Sequence, residues 1–152
     1  MRVFGSFVKT VLSRLGPFTV SRAFSWTGYT VPKYKWFKPS EVEGLDHEFV
    51  LKLDQAREIA SFPFILTSGF RSPEKNKSVI GAVPDSSHLK GLAVDIRVTS
   101  SRQVALILDA AKKVGIDRRG IYVNTFFSPT HVHIDTDPEK AGNVIFIKQE
   151  GA

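Results

Sequence analysis

The stretch Ser86-Ser-His-Leu-Lys-Gly-Leu-Ala-Val-Asp-Ile-Arg97 changes character halfway along. Its first half is polar and closes a segment, residues 70–90, that is rich in Pro, Gly and Ser and reads as a long loop. Loops of that length in small domains usually carry function. In the second half Leu92, Val94 and Ile96 alternate with Ala93, Asp95 and Arg97, the period of a strand with two distinct faces. Asp95 therefore lies away from the apolar side. A carboxylate on an otherwise buried strand is costly unless it is paired or metal-bound. His88 stands at the end of the loop, just ahead of that strand.

Working outward, the flanks supply the other elements. On the N-terminal side, Ser40 with Glu43 three residues later has the form of a capping box. Leu45, Phe49, Leu53, Ala56 and Ala60 then follow one helical face, and Pro63 ends it. Phe64-Ile-Leu-Thr-Ser68 reads as a short buried strand closed by Gly69. On the C-terminal side, Ser100-Ser101 caps a helix running to about Val114, with Gly115 as its stop. Gly120-Ile-Tyr-Val123, His131-Val-His-Ile-Asp135 and Asn143-Val-Ile-Phe-Ile147 read as three further strands. Two main helices over a small, mainly antiparallel sheet make an α+β domain.

His131-Val-His-Ile-Asp135 carries the second half of the chemistry. At strand spacing residues 131, 133 and 135 point to one side, while Val132 and Ile134 point to the core. Two imidazoles on one face beside a carboxylate strand have the makings of a metal site. The chain contains no cysteine, so thiolate sites, disulfides and cysteine nucleophiles are excluded. A donor set of His and Asp favours zinc, and three protein ligands leave the fourth position that separates a catalytic zinc from a structural one. The His133-Ile-Asp135 spacing also occurs in two-histidine, one-carboxylate iron sites, but those need a further histidine downstream, and none follows. No G-x-S-x-G elbow is present for serine chemistry. Asp135 has two readings: it orients His131 or His133 from behind, or it ends the strand and caps the turn at Asp137-Pro138. Arg71 has a surface alternative too, an ion pair with Glu74.

Four segments together resemble a known family: Ser68-Gly-Phe-Arg-Ser72, the S-x-H-x(6)-D stretch from Ser86 to Asp95, Ile121-Tyr122, and His131-Val-His133. In their order and spacing the chain is similar to the zinc D-alanyl-D-alanine carboxypeptidases and the related L-alanyl-D-glutamate endolysins, which share a fold with the hedgehog signalling domain. The resemblance runs from about Trp36 to Asp137. It implies a zinc peptidase acting on peptidoglycan stem peptides, with His88, Asp95 and His133 as zinc ligands. It places Arg71 beside the scissile bond, as oxyanion stabiliser or holder of a substrate carboxylate, and Ser86 against substrate near the metal. Tyr122 is expected along the cleft as a substrate contact, or else in the core, and the same two readings apply to Trp36. Many members carry an Asp or Glu three residues before the last zinc histidine as general base; here that residue is Thr130. His131 is then the expected base or oxyanion partner. Without a base, the domain would bind wall peptide and not cut it.

The net charge of +6 is unevenly placed. Residues 1–40 carry seven Lys/Arg and no acid, whereas residues 41–152 carry 14 basic and 15 acidic residues. The chain accordingly divides into a basic, aromatic N-terminal segment, 1–40, and a zinc peptidase domain, 41–152, and nucleic acid is not an expected partner. Hydrophobic content of 42% and charged content of 24% are those of an ordinary soluble globular domain, and a monomer is the expectation. No apolar run reaches the roughly 18–20 residues of a membrane span. Lys9 and Arg14 interrupt the apolar stretch that a cleavable signal peptide would need. Val3, Phe4, Phe7, Val8, Val11, Leu12 and Leu15 recur at helical spacing, either as a basic amphipathic helix on an anionic membrane or as a stripe packed on the domain. The site of action implied by the resemblance is the bacterial wall or periplasm, which a small phage-encoded lysin would fit.

Overall fold

The computed structural model describes residues 34–150, and these belong to the unit Val31–Ala152. The expected amphipathic helix over residues 3–15, and with it the membrane-facing arm, falls outside the described residues. A 3-10 turn at Pro39–Glu41 leads into helix α1, His47–Ala60. Strand β1 (Leu66–Ser68), the short helix α2 (Pro73–Lys77) and a second 3-10 turn (Ser87–Lys90) come next. Strand β2 (Ala93–Arg97), helix α3 (Ser101–Lys113), β3 (Arg118–Val123), β4 (Pro129–Asp135) and β5 (Val144–Gln149) complete the order.

The strands form one sheet in the order β1-β2-β4-β3-β5. All pairings are antiparallel except β3 with β5. This is the α+β arrangement, with a mainly antiparallel sheet, that the sequence predicts. The period-2 pattern assigns the two faces. Val94, Ile96, Val132 and Ile134 are fully buried, in one core with Phe49, Val50 and Leu53 of α1 and Ile107, Ala110 and Ala111 of α3. Asp95, His131, His133 and Asp135 alternate with those apolar residues and therefore share the opposite face.

The strands differ from the sequence reading by one or two residues at their ends, and two larger differences concern helices. Helix α1 begins at His47, and its N-cap is Asp46, whose carboxylate accepts from Phe49 N–H; the Ser40/Glu43 box is not used. The break comes from Gly44, whose φ of +73° cannot continue a right-handed helix. Glu41 instead accepts from Lys38 N–H at 2.8 Å, closing the first 3-10 turn. The predicted loop 70–90 also contains α2, capped by Ser72 and started by Pro73. The second helix agrees at both ends: Ser100 caps it and Gly115, at φ +75°, stops it.

Gly91 is the glycine on which the site depends most. It caps the Ser87–Lys90 turn at φ +69°, and a Cβ there would stand 2.4 Å from the Gly44 carbonyl oxygen. Its own carbonyl accepts from Asp46 N–H at 2.9 Å. The turn that carries His88 is thus seated directly on the start of α1.

Candidate metal centre

Register brings the polar face together. Asp95 of β2 pairs with His133 of β4, and Gly120 of β3 stands on the other side of His133. Two residue pairs further along, on the same face, His131 lies between Arg97 and Tyr122. In the other direction Asp135 lies between Ala93 and Arg118. The sheet thereby supplies Asp95 and His133, and the Ser87–Lys90 turn brings His88 over them.

His88, Asp95 and His133 each present a ligand atom, and these atoms lie within 4.8 Å of one another. The hydrogen bonds fix which nitrogen faces inward. His88 Nδ1 is 2.7 Å from the Gly69 carbonyl, which can only accept, so Nδ1 carries the hydrogen and Nε2 is directed to Asp95 Oδ2 at 3.4 Å. His133 Nδ1 faces Asp95 Oδ1 at 2.9 Å, and its Nε2 meets Asp135 Oδ2 at 2.9 Å. A metal-binding histidine usually has its outer nitrogen held by a carbonyl or carboxylate in this way. Two imidazoles and a carboxylate, closely grouped and largely buried, fit a borderline divalent cation such as zinc.

The electrostatics favour positive charge at this point. Burial works against ionising Asp95, yet hydrogen bonds from His133 and His88 outweigh it and hold the carboxyl far below the usual range. Burial likewise works against charging His133, but Asp135 and Asp95, one carboxylate on each nitrogen, raise its pKa. Arg71 adds its guanidinium: NH2 donates to Asp95 Oδ2 at 2.8 Å, and Nε donates to Ser68 Oγ at 2.8 Å. Its partner is therefore Asp95, and the alternative pair with Glu74 does not form. Arg118 Nε lies 3.3 Å from Asp135 Oδ2, behind the cluster.

His131 and Tyr122 form the adjoining wall. Their rings stack at 4.2 Å between centroids and 19° between planes. Burial lowers the pKa of His131, with Asp95 and Glu150 pulling in the opposite direction. Burial, then Asp95, raises the pKa of the Tyr122 phenol. Thr130 Oγ1 donates to the Tyr122 carbonyl at 3.2 Å and stands 3.2 Å from His131 Nδ1. Ser86 is buried at the N-cap of the His88 turn without a side-chain capping bond. Trp36, the other cleft candidate, instead lies by α1, where its backbone N–H donates to Asp54 Oδ1 at 2.8 Å and Arg57 donates to its carbonyl at 2.7 Å.

Both readings of Asp135 hold at once. Oδ2 meets His133, and Oδ1 accepts from Asp137 N–H at 3.2 Å. Other supports escape the sequence reading. Ser87 Oγ donates to Asp137 Oδ2 at 3.0 Å, and Lys90 Nζ bonds both Asp137 oxygens at 3.0 Å and Glu139 at 2.7 Å. This clamp ties the His88 turn to the chain beyond β4. The one-turn spacing of Ser87 and Lys90 is a local signal; their shared partner Asp137 has none. Phe146 of β5 lies with its ring centroid 6.1 Å from that of His133, close over Gly120, where a Cβ would meet the ring at 2.3 Å.

Among curated proteins none matches the chain. Among solved structures, the L-Ala D-Glu endopeptidase ChiX of Serratia marcescens is similar, with 18% sequence identity and a TM-score of 0.46 over 64% of this chain and 84% of that one. The sequence model of the family described as Peptidase M15 matches residues 35–135. That span is most of the chain and holds Arg71, His88, Asp95, His131 and His133, and the protein belongs to the Peptidase M15 family.

Proposed function

We propose that this chain is a zinc-dependent peptidase that cleaves peptidoglycan stem peptides, either removing a terminal D-alanine or cutting an internal bond such as L-Ala-D-Glu. The observation that carries the reading is the convergence of His88, Asp95 and His133 beside Arg71, all within the stretch that matches the peptidase family. The wall-peptide substrate is what the family resemblance implies, and L-Ala-D-Glu is the bond named for the Serratia marcescens endopeptidase.

His88 Nε2, Asp95 and His133 Nδ1 would hold the ion. The chemistry supplied by zinc bound there is Lewis-acid polarisation of the scissile carbonyl and acidification of water to a pKa near ~7. The chain's own groups divide the rest. Arg71, anchored through Nε on Ser68, offers its other donors to the carbonyl oxygen as charge grows there, or to a substrate carboxylate. His131 accepts the proton of the attacking water and passes it to the leaving amine. Tyr122 keeps the His131 ring in place by stacking and contributes its hydroxyl to the substrate wall, and Ser86 lines the metal side of that wall. In this reading residues 1–40 are the basic segment of the sequence and residues 41–152 the peptidase domain, and the domain acts as a monomer at the bacterial wall.

Two measurements test this. Purified protein should contain one zinc per chain, and His88→Ala should contain none; equal zinc in both would sink the ligand assignment. Mass spectrometry of muropeptides incubated with the protein should show a mass loss that names the bond.

Thr130, standing where a carboxylate base was expected, favours a second reading: a zinc-containing module that binds wall peptide without turnover. Zinc-loaded protein that binds muropeptides and releases no product would select it. A cleavage rate that disappears in His131→Ala with zinc retained would exclude it.

A further inference from the structure

The family match ends at residue 135, but the sheet does not. Strand β5 runs parallel to β3, with Val123 opposite Gln149, and Glu150 N–H continues the pairing by donating to the Val123 carbonyl at 2.8 Å. This places the Glu150 carboxylate at the open end of the site, with Oε1 3.5 Å from His131 Nδ1.

Among the described residues, the two polar groups that meet that nitrogen are both acceptors. The Thr130 hydroxyl directs its hydrogen to the Tyr122 carbonyl, so it presents a lone pair to His131. Glu150 presents a carboxylate. With the ring plane set by stacking on Tyr122, the hydrogen of neutral His131 belongs on Nδ1, and the lone pair on Nε2. An imidazole held by a carboxylate on one nitrogen is a proton acceptor on the other, the logic of histidine–carboxylate pairs in hydrolases.

We infer that Glu150 is a positioning residue for His131: from outside the family-matched stretch it supplies, by way of an imidazole, the carboxylate that position 130 lacks. Thr130 is then the hydroxyl that helps set the tautomer. The inference rests on the reading of His131 as the base. The water hydrogen moves to His131 Nε2 as the new C–O bond forms. It leaves for the amine nitrogen as the C–N bond breaks, and Nδ1–H stays paired with Glu150 and Thr130 throughout.

The test uses the full-length, zinc-loaded protein and muropeptides released from purified sacculi. Glu150 is partly exposed at the end of an edge strand, so Glu150→Ala should fold, with unchanged melting temperature and zinc content. Imidazole nitrogen NMR should report Nδ1–H for neutral His131 in the wild type and a shift towards the Nε2–H tautomer in Glu150→Ala. kcat should fall ~10–100-fold with little change in KM, the scale of losing a carboxylate behind a functional histidine, and Glu150→Asp should recover part of it. An unchanged tautomer together with unchanged kcat in Glu150→Ala would overturn the inference, as would loss of zinc in that variant. His131→Ala separates the two ideas. If it retains turnover, the base assignment fails, and the tautomer alone then judges Glu150. If it abolishes turnover while Glu150→Ala is fully active with an unchanged tautomer, only the Glu150 inference fails.

Discussion

His133 Nε2 and Asp135 Oδ2 are 2.9 Å apart on the same strand, two residues from one another, and both side chains are buried. The contact orients the ring so that Nδ1 faces Asp95. It also leaves His133 Nε2 dependent on Asp135, which is shut off from water and is itself held by Arg118 and by the Asp137 N–H.

Replacing Asp135 with Ala should therefore weaken the metal site without touching a ligand. Zinc affinity is expected to drop ~10–100-fold. Stability of the metal-free protein should fall by about 1–3 kcal/mol, the cost of an unpaired buried donor. Competition with a chelator for the first and urea melts for the second provide the check; equal zinc affinity would show that the contact does not govern the ring.

Arg71 spans two anchors, Ser68 Oγ through Nε and Asp95 Oδ2 through NH2. A lysine has one nitrogen and cannot hold both. Arg71→Lys should keep zinc and fold but lose ~10²–10³ in kcat/KM, as when a donor to developing negative charge is removed. Steady-state rates on muropeptides, beside metal analysis, decide this.

Gly91→Ala is expected to be far worse than its size suggests. The left-handed conformation costs about 1–2 kcal/mol for a residue with a Cβ. The methyl also meets the Gly44 carbonyl, which belongs to the backbone and cannot swing away. Gly142→Ala, with nothing within 4 Å, is the neutral comparison. Thermal melts of the two should differ by several degrees, and only Gly91→Ala should reduce zinc affinity, because it shifts the turn carrying His88.

Asp137 supplies a pH dependence. Burial tends to raise its carboxyl pKa, but hydrogen bonds from Lys90, Glu139 N–H and Ser87 prevail and lower it. A folded pKa below the unfolded one means that the contribution is complete above about pH 4, the unfolded carboxylate value, and is lost as pH falls through the folded value. Asp137→Asn should thus narrow the stability gap between pH 7 and pH 3 relative to wild type. Parallel urea titrations at the two pH values would reveal it, and identical gaps would refute it.

The fold and the centre of the site are legible in the sequence because both are written in local patterns. Alternation in Leu92–Arg97 and His131–Asp135 assigns faces before any pairing is known, and an antiparallel sheet then needs only register to join Asp95 to His133. What stays hidden depends on tertiary contact. Ser40 and Asp46 are both competent caps, and the choice between them follows from Gly44, whose positive φ is set by packing around Phe70 and the Gly91 turn. The Asp137 clamp joins residues 50 apart in sequence. Glu150 and Phe146 reach the site only because β5 lies parallel to β3, a pairing that no periodicity within β5 could announce.

The sheet order has a mechanical consequence. Strand β4 is flanked by β2 on one side and β3 on the other, so Asp95, His133 and Asp135 sit on the part of the molecule least able to open by itself. His88 and Arg71 come instead from turns hung on the rim, held by Gly91, Ser68 and the Asp137 clamp. The cluster is accordingly a floor of paired strands with an edge built from turns, so any loosening of the site would begin at the edge, against the Ser87 and Lys90 bonds to Asp137, and would leave the strands paired.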